Sequence, residues 1–199
     1  MKTVISKSEK ETLNLAAEFA EGLGAGTVVL LTGDLGSGKS VFARGVIRAY
    51  GVKQAVTSPT FTLINRYDIP PSPAIKSTQT HAIPNKITVK PAKTNLSGKF
   101  PFGKNPREGF PNNSPLRKRG GGVADGVFDL CAIYHMDMYR LEDITEAYNI
   151  GIEEILDDKT SIKLIEWPER IAALLPKGCV AVNIKKVNDN TREIVLGKS

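Results

Sequence analysis

Gly33-Asp34-Leu35-Gly36-Ser37-Gly38-Lys39-Ser40 stands between the apolar run Thr27-Val28-Val29-Leu30-Leu31 and the stretch Val41-Phe42-Ala43-Arg44-Gly45-Val46-Ile47. The octapeptide matches the pattern G-x-x-x-x-G-K-[ST], and its flanks predict a buried strand before it and a helix after it. Glycines let successive backbone N–H groups turn inward around phosphate oxygens, and the N-terminus of the following helix favours an anion. The stretch therefore predicts a phosphate-binding loop in an α/β protein. The alternative interpretation is a glycine-rich turn before an ordinary helix.

Two side chains of this loop have predicted chemical roles. Lys39 would reach the β- and γ-phosphates of a nucleotide, and the hydroxyl of Ser40 would ligate Mg²⁺. A phosphate-loop ATPase needs a second anchor for that ion, usually an aspartate at the end of another core strand. Asp137 has that placement, directly after Ile133-Tyr134-His135-Met136. A surface aspartate at a strand end is the alternative.

Further candidates lie at the end of the next predicted strand and in one loop. Glu166 would orient the attacking water or complete the Mg²⁺ shell through water, unless it is only a carboxylate before a helix. Trp167 either packs against that helix or lines the nucleotide site. His135 is predicted to be a structural histidine, because one histidine does not make a zinc site. Ser58-Pro59-Thr60 is either a switch-like loop that senses the γ-phosphate or a simple turn.

The composition limits the class of protein. The chain has 199 residues, of which 41% are hydrophobic, and this is enough for one domain with a core. Its longest apolar runs are about five to six residues, far below the roughly 18–20 of a membrane-spanning helix, and residues 1–25 show no signal peptide. Cys131 and Cys179 lack C-x-x-C spacing and predict buried thiols in a reducing cytoplasm rather than a disulfide. We therefore expect a cytoplasmic protein without membrane association.

The basic charge is concentrated in one segment. The net charge is +6, yet residues 70–126 hold ten Lys/Arg and two Asp/Glu, which leaves the rest of the chain slightly acidic. The same segment contains nine of the 12 prolines and seven of the 18 glycines. So long a stretch with little periodicity predicts a disordered insertion into a single domain that spans residues 1–199. A basic arm that binds RNA is the alternative.

The remaining sequence predicts a sheet with helices on its faces. Ser8-Glu9-Lys10-Glu11 fits a capping box that opens a helix through about Glu21. A strand is predicted from Phe61, with Phe61, Leu63 and Tyr67 on one face. The other predicted elements are strands at 27–32, 127–137 and 161–167, helices at 39–50, 141–149 and 152–156, a helix that begins at Pro168, and a C-terminal strand pair at 179–187 and 192–196. The phosphate loop is then expected at the carboxyl ends of the strands.

Four motifs follow one another along the chain. They are Leu31-Thr32-Gly33-Asp34-Leu35-Gly36-Ser37-Gly38-Lys39-Ser40 with Phe42 and Arg44-Gly45 after it, Thr57-Ser58-Pro59-Thr60-Phe61-Thr62-Leu63, His135-Met136-Asp137-Met138-Tyr139-Arg140-Leu141, and Glu166-Trp167-Pro168-Glu169-Arg170. In this order they resemble the TsaE (YjeE) family of ATPases, over about residues 5–69 and 127–197. The resemblance implies a P-loop NTPase-like three-layer α/β sandwich with a central, mostly parallel sheet and a C-terminal strand pair. The chain departs from the family between Asp68 and Val127, where the family has only a short connection.

The resemblance also implies an activity. It implies Mg²⁺-dependent ATP hydrolysis that drives or resets a complex with the TsaB and TsaD proteins, which installs the N6-threonylcarbamoyl group on adenosine 37 of tRNA. TsaD performs the transfer, so tRNA is an indirect partner. It implies that Lys39 and Ser40 bind the phosphates and Mg²⁺, that Asp137 is the second metal ligand, and that Glu166 with Trp167 borders the nucleotide site. With the roles inferred above for Glu166, the candidate catalytic residues are Lys39, Asp137 and Glu166, and the candidate metal ligands are Ser40, Asp137 and Glu166. The implied nucleotide-binding set is Gly33, Asp34, Leu35, Gly36, Ser37, Gly38, Lys39, Ser40, Val41, Thr60 and Trp167.

Two other functions stay open at this point. A P-loop kinase for a small metabolite would need an acceptor pocket and a lid that carries arginines, and the insertion is the only candidate lid. A non-enzymatic RNA-binding module would rest on the same insertion, whose Phe100, Phe102 and Phe110 offer little base stacking. The ATPase is the favoured prediction, because it accounts for all four motifs.

Overall fold

The computed structural model describes residues 1–70 and 129–198 of the chain. These residues form a seven-stranded sheet that is covered by helices on both faces. The strands are β1 (Lys2–Ser6), β2 (Val28–Thr32), β3 (Ile64–Asp68), β4 (Ala132–Asp137), β5 (Ser161–Glu166), β6 (Val180–Lys186) and β7 (Arg192–Lys198). The helices are α1 (Glu9–Ala20), α2 (Lys39–Ala49), α3 (Ile144–Asn149) and α4 (Ile152–Asp157), and a 3-10 helix covers Pro168–Leu174.

The sheet has parallel strands at its centre and antiparallel strands at its edges. The strand order is β1-β7-β6-β2-β5-β4-β3. The four central strands β6, β2, β5 and β4 run parallel, whereas β7 pairs antiparallel with β6 and β1, and β3 pairs antiparallel with β4. This arrangement confirms the predicted α/β class, the mostly parallel central sheet and the C-terminal strand pair. Strand β1 is not predicted from the sequence, because its pairing with β7 joins the two ends of the chain.

Side chains on the two faces of the sheet form separate apolar clusters. One cluster packs the sheet against α1 and α2, and the other packs it against α3, α4 and the 3-10 helix. Alternate residues of the central strands supply the two clusters, as a sheet buried on both faces requires. On β4 and β5, Ile133, Ile162 and Leu164 face the α1–α2 layer, while Met136 and Ile165 face the opposite layer. The three layers of the predicted sandwich are therefore present.

Close packing between α1 and α2 holds the helix that follows the phosphate loop. Gly45 of α2 lies against α1, where an added Cβ would come 2.6 Å from the Cβ of Ala16 and 2.8 Å from the carbonyl oxygen of Leu13. Ser8 caps α1 as predicted, because its hydroxyl accepts a hydrogen bond from the Glu11 N–H at 3.1 Å. The contact at Gly45 lets α2 pack closely on α1, and α2 begins directly after the loop that follows β2.

Two predicted features are wrong. Strand β3 begins at Ile64 and not at Phe61, because the chain turns at residues 60–62 and Leu63 adopts a positive φ of 62°. Phe61 is consequently 82% exposed and does not share a buried face with Tyr67. Cys131 is exposed, because it lies just outside the first residue of β4, whereas Cys179 is buried as predicted. Both cysteines are free thiols.

Two helical segments also differ from their predicted form. The helix predicted from residue 141 begins only at Ile144, because the carboxylate of Asp143 accepts a hydrogen bond from the Thr145 N–H at 2.9 Å and caps the helix there. Pro168 does stand at the start of a helix, but this helix is of the 3-10 type. Strand β5 ends at Glu166, one residue earlier than predicted, since Trp167 has left-handed backbone angles.

The predicted insertion connects the two strands at one edge of the sheet. Asp68 of β3 pairs with Ala132 of β4, and the Ile69 N–H donates to the Cys131 carbonyl at 3.0 Å. The segment between these residues therefore joins the ends of an antiparallel pair at the edge of the sheet. Apart from Pro70, the predicted insertion 70–126 lies outside the described residues. Within residues 1–70 and 129–198, no helix is long and apolar enough to span a membrane.

Candidate functional site

A cleft of about 350 Å³ lies where the parallel strands β2, β4 and β5 end. Part of its lining comes from the phosphate loop, and another part from residues at or just after the ends of the other two strands. Its lining residues are Leu35, Gly36, Gly38, Lys39, Ser40, Val41, Ser58, Thr60, Asp137, Tyr139, Glu166, Trp167 and Arg192. Ligands of open α/β sheets bind at this edge, because the loops after the strands leave a crevice there.

The backbone of the phosphate loop requires glycine at both of its ends. Gly33 has φ 133°, and an added Cβ would come 2.0 Å from the carbonyl oxygen of Ile184 on β6. Gly38 has φ 108° and precedes the first residue of α2 without any side-chain cap. Other residues disfavour these angles, so both glycines are needed for the loop to turn back onto the helix.

Several donors of the loop have no hydrogen-bond partner in the described part of the chain. These donors include the N–H groups of Gly38, Lys39, Ser40 and Val41, together with the buried hydroxyl of Ser37. The first turn of a helix normally leaves such amides unpaired, and they attract an anion. The loop therefore fits a phosphate group, because it offers several N–H donors that have no hydrogen-bond partner among the described residues.

Lys39 is one of the two cationic residues in the cleft lining, and it is 4% exposed. Its ammonium donates to the carbonyl oxygens of Gly33 at 2.6 Å and Asp34 at 2.9 Å, and it lies 4.1 Å from the centre of the Trp167 ring. Burial lowers the pKa of Lys39, whereas nearby carboxylates, led by Glu166, act to raise it. The position of this lysine is therefore set by carbonyl oxygens, an aromatic face and nearby acids.

Asp137 is held at the end of β4 by two hydrogen bonds. Its carboxylate accepts from the Thr60 hydroxyl at 2.6 Å and from the Tyr139 N–H at 3.0 Å. The Ser58 hydroxyl lies 2.8 Å from the Thr60 hydroxyl. Because Thr60 gives its single proton to Asp137, Ser58 donates to Thr60. The Ser58-Pro59-Thr60 loop is thus coupled to the candidate metal ligand, and Thr60 lies in the cleft as predicted.

Glu166 links the phosphate loop to the core of the sheet. One carboxylate oxygen accepts from the Ser40 hydroxyl at 3.2 Å, and the other lies 2.8 Å from Nε2 of His135. Glu166 is 3% exposed and His135 is fully buried. Ser40, Glu166 and Asp137 therefore share one small volume of carboxylate and hydroxyl oxygens, the ligand type that Mg²⁺ prefers.

His135 contacts the carboxylate of Glu166 inside the sheet. Its Nε2 contacts Glu166, and its Nδ1 has no partner among the residues described. The described ranges contain no group of three His, Cys, Asp or Glu side chains that could hold a metal ion. The contact with Glu166 agrees with the structural role predicted for this histidine.

Trp167 closes one wall of the cleft. It has φ 56° and ψ 49°, which are unusual for a residue other than glycine. Its ring packs on Tyr139 with a centroid distance of 4.9 Å and a tilt of 46°. The unusual backbone angles turn the chain after β5, so that the indole covers Lys39 while Pro168 starts the 3-10 helix.

Two lining residues are missed by the sequence analysis as site residues. Tyr139 lies within the motif His135–Leu141, but the motif does not predict a place in the cleft, and no motif contains Arg192. Arg192 reaches the loop only because the β6–β7 hairpin lies beside β2, so its place depends on sheet order. Of the predicted nucleotide contacts, Asp34 is an exposed residue of the loop, and Gly33 forms its base rather than its lining.

Comparison with known proteins connects this geometry to a family. The family model described as "Threonylcarbamoyl adenosine biosynthesis protein TsaE" matches residues 6–82 and 125–194. The chain belongs to the TsaE family. The match confirms the resemblance drawn from the four motifs, and it leaves out residues 83–124, which lie within the predicted insertion.

Individual relatives cover most of this TsaE-family chain. A protein from Rickettsia bellii named "tRNA threonylcarbamoyladenosine biosynthesis protein TsaE" is 31% identical over 94% of this chain and 89% of its own length. A protein of the same name from Bacillus subtilis is 28% identical over 98% of this chain and 82% of its own length. The crystal structure of YdiB from Bacillus subtilis is similar with a TM-score of 0.56 and 21% identity, over 99% of this chain and 84% of that one. This structural similarity supports the fold.

Proposed function

We propose that this TsaE-family chain binds ATP with Mg²⁺ in the cleft, hydrolyses it, and so serves tRNA threonylcarbamoyladenosine biosynthesis. The observation that carries the proposal is the convergence of the Lys39 ammonium, the Ser40 hydroxyl and the carboxylates of Asp137 and Glu166. Phosphoryl transfer needs a cation and N–H donors for the phosphates and oxygen ligands for the metal ion. The names of the relatives supply the pathway.

The loop and the end of β4 would bind the phosphates and the ion. Lys39 would leave the carbonyls of Gly33 and Asp34 and neutralise the β- and γ-phosphates. The Ser40 hydroxyl and the Asp137 carboxylate would hold Mg²⁺, which supplies charge neutralisation at the phosphate oxygens. Thr60 keeps the Asp137 carboxylate oriented for this task through its hydrogen bond at 2.6 Å.

Glu166 would act on the attacking water. His135 holds one carboxylate oxygen of Glu166, so the other oxygen stays directed toward Ser40 and the cleft. A carboxylate in that place can accept a hydrogen bond from a water molecule and take up its proton, or complete the metal shell through water. Trp167 and Tyr139 would exclude bulk solvent from this side.

We propose further that hydrolysis drives or resets a complex with TsaB and TsaD, in which TsaD transfers the threonylcarbamoyl group. Leu35 in the cleft lining and Phe61 beside Thr60 are 74% and 82% exposed, and a protein partner bound at the cleft would cover them. Outside residues 70–126 the chain holds 17 basic and 19 acidic side chains. This balance supports indirect contact with tRNA, since surfaces that bind nucleic acid are basic. The proposed place of action is the cytoplasm.

Phosphate release from Mg²⁺·ATP tests the proposal. We expect slow release by the full chain alone and faster release with the cognate TsaB–TsaD complex. Lys39→Ala should abolish turnover, whereas Lys53→Ala, at an exposed lysine that does not line the cleft, should not change it. Full turnover in Lys39→Ala would contradict the phosphate-loop assignment. Transfer of phosphate to a small metabolite, without stimulation by the partners, would favour the kinase instead.

A further inference from the structure

Arg192 attaches the β6–β7 hairpin to the phosphate loop. The residue is the first of β7, and its Nε donates to the carbonyl oxygen of Ser37 at 2.9 Å. Its Nη1 donates to three carbonyl oxygens of its own hairpin, those of Asn188 at 2.8 Å, Asp189 at 3.0 Å and Thr191 at 3.2 Å. The partners of this guanidinium in the described structure are all backbone carbonyls, so it acts as a clamp between two segments.

The bond to Ser37 determines the direction of a peptide unit in the loop. The described chain contains no cis peptide, and in a trans peptide the C=O and the next N–H point in opposite directions. Because Arg192 draws the Ser37 carbonyl to one side, the Gly38 N–H must point to the other. That N–H has no hydrogen-bond partner in the described residues.

Gly38 depends on this external support. With φ 108° and no side chain, it has more conformational freedom than any other residue type would have there, and no side chain caps α2. The nitrogen Nε of Arg192 lies 3.7 Å from the place where a Cβ of Gly38 would be. The guanidinium therefore packs against the residue whose orientation matters most for a phosphate at the start of α2.

We propose that Arg192 is a positioning residue for nucleotide binding, which holds the Ser37–Gly38 peptide with the Gly38 N–H presented to a phosphate of a nucleoside diphosphate or triphosphate. The inference rests on the proposed function, because it assigns a task within the same cleft. It also makes the β6–β7 hairpin part of the nucleotide site, although no residue of the four motifs lies in that hairpin.

The hairpin provides a matched control. Lys186 forms an ion pair with Asp189 at 2.8 Å in the same turn, and neither side chain lines the cleft. Lys186→Ala removes a charge and a contact of the hairpin but leaves the bond from Arg192 to Ser37. Arg192→Gln removes the charge and the fork of donors, and Arg192→Lys keeps the charge but cannot reach the loop and the hairpin carbonyls together.

Titration calorimetry measures the dissociation constants of Mg²⁺·ADP and Mg²⁺·ATP for the full-length wild type and each variant. The unfolding temperature and the steady-state hydrolysis rate are measured for the same proteins. Loss of one charge-assisted hydrogen bond predicts a dissociation constant raised about tenfold in Arg192→Gln, a smaller rise in Arg192→Lys, and none in Lys186→Ala. KM should rise while kcat stays near the wild-type value, and the amide resonance of Gly38 should shift in the nucleotide-free protein.

The outcomes separate this inference from the proposed function. Wild-type affinity in a folded Arg192→Gln protein, or in Arg192→Lys where the glutamine variant does not fold, would overturn the role of Arg192 and leave the proposed function intact. An equal loss of affinity in Lys186→Ala would also overturn it, because the hairpin as a whole would then be responsible. A wild-type chain that binds neither nucleotide would overturn the proposed function itself.

Discussion

Nε2 of the buried His135 ring lies 2.8 Å from Oε1 of Glu166, and Oε2 of the same carboxylate accepts a hydrogen bond from the Ser40 hydroxyl. His135 and Glu166 project from β4 and β5 toward the α1–α2 layer, where the preceding residues on that face are apolar. The contact with His135 holds the Glu166 carboxylate in one orientation. Without this contact, the carboxylate could adopt several rotamers. Mutation of His135 should therefore change both stability and turnover.

His135→Leu should lower the free energy of unfolding by about 1–3 kcal/mol, because it leaves a buried carboxylate oxygen without its donor. ATP hydrolysis should fall more steeply than nucleotide affinity, since Glu166 is proposed to orient water and not to bind phosphate. Urea unfolding measures the change in stability, and kcat together with the dissociation constant of Mg²⁺·ATP measures the loss of turnover separately from the loss of affinity. His135→Gln, whose amide can still donate, should recover part of the activity; full activity in His135→Leu would contradict the role given to Glu166.

Thr60→Val tests the hydrogen bond from the switch-like loop to Asp137. The replacement keeps the size of the side chain but removes the hydroxyl that donates to Asp137 at 2.6 Å. We expect a loss of about tenfold in Mg²⁺-dependent hydrolysis, with a higher Mg²⁺ concentration needed for half-maximal rate. Thr62→Val is the control, because Thr62 lies two residues after Thr60, donates to Asn65 of β3 and does not line the cleft. Equal effects of both changes would indicate a general disturbance of the loop.

The glycines of the phosphate loop should differ sharply in their tolerance of alanine. Gly33→Ala places a Cβ 2.0 Å from the Ile184 carbonyl oxygen, a backbone atom that cannot move without displacing β6. A Cβ at Gly36 meets nothing within 4 Å, so only its positive φ of 76° opposes alanine. Gly36→Ala should cost about 1 kcal/mol of unfolding free energy, and Gly33→Ala several times more. Similar unfolding temperatures for the two variants would contradict the close contact with β6.

The position of the Gly33–Ser40 loop between a buried strand and a helix could be predicted from sequence, because its turn, its lysine and its hydroxyl lie within eight consecutive residues. Asp137 and Glu166 could be predicted as partners, since the ends of parallel strands meet at one edge of the sheet. The hydrogen-bonding partners of Glu166 could not be predicted, because its contacts with Ser40 and His135 depend on the register of β4 against β5. Contacts between these side chains follow from the pairing of β4 with β5, and the spacing of the residues along the chain does not predict them.

The features that sequence patterns miss depend on long-range contacts or on unusual backbone angles. Arg192 meets Ser37 across 155 residues of chain, and nothing near Arg192 in the sequence indicates a binding role. Leu63 and Trp167 both have positive φ, which an apolar alternation does not reveal, and for that reason the strand predicted from Phe61 begins too early and the strand before Trp167 ends too late. Tertiary contacts override local propensity at these points.

Lys163 should make stability depend on pH. The lysine is fully buried in β5, and its ammonium donates to the carbonyl oxygens of Asp158 and Ser161. Burial lowers the pKa of Lys163 from its ordinary value of 10.5 to about 8, although the Asp158 carboxylate acts to raise it. Between these two pH values the unfolded chain holds a proton that the folded chain has released. The contribution of Lys163 to the free energy of unfolding therefore rises with pH across this interval, by at most about 1.4 kcal/mol per pH unit.

Lys163→Met isolates that contribution. The difference in unfolding free energy between the wild type and Lys163→Met should shift in favour of the wild type as pH rises from about 8 toward 10, because other titrating groups are common to both proteins. Loss of the hydrogen bonds to the two carbonyls also changes this difference in unfolding free energy, but by an amount that does not depend on pH. Urea unfolding at several pH values measures the slope. A flat difference would show that Lys163 keeps its ordinary pKa in the folded protein.

Replacement of residues 71–128 by a short turn should leave the fold and the cleft intact. The ends of the replaced segment are already adjacent, since Asp68 pairs with Ala132 and the Ile69 N–H donates to the Cys131 carbonyl at 3.0 Å. A two- to five-residue hairpin turn such as one with Asn-Gly can join strands in this register. Closing a shorter loop costs less entropy, so we expect the free energy of unfolding to rise on the order of 1–2 kcal/mol. Unchanged Mg²⁺·ATP affinity, measured by titration calorimetry, would agree with an insertion outside the catalytic machinery, whereas loss of binding in a folded variant would make residues 71–128 part of the nucleotide site.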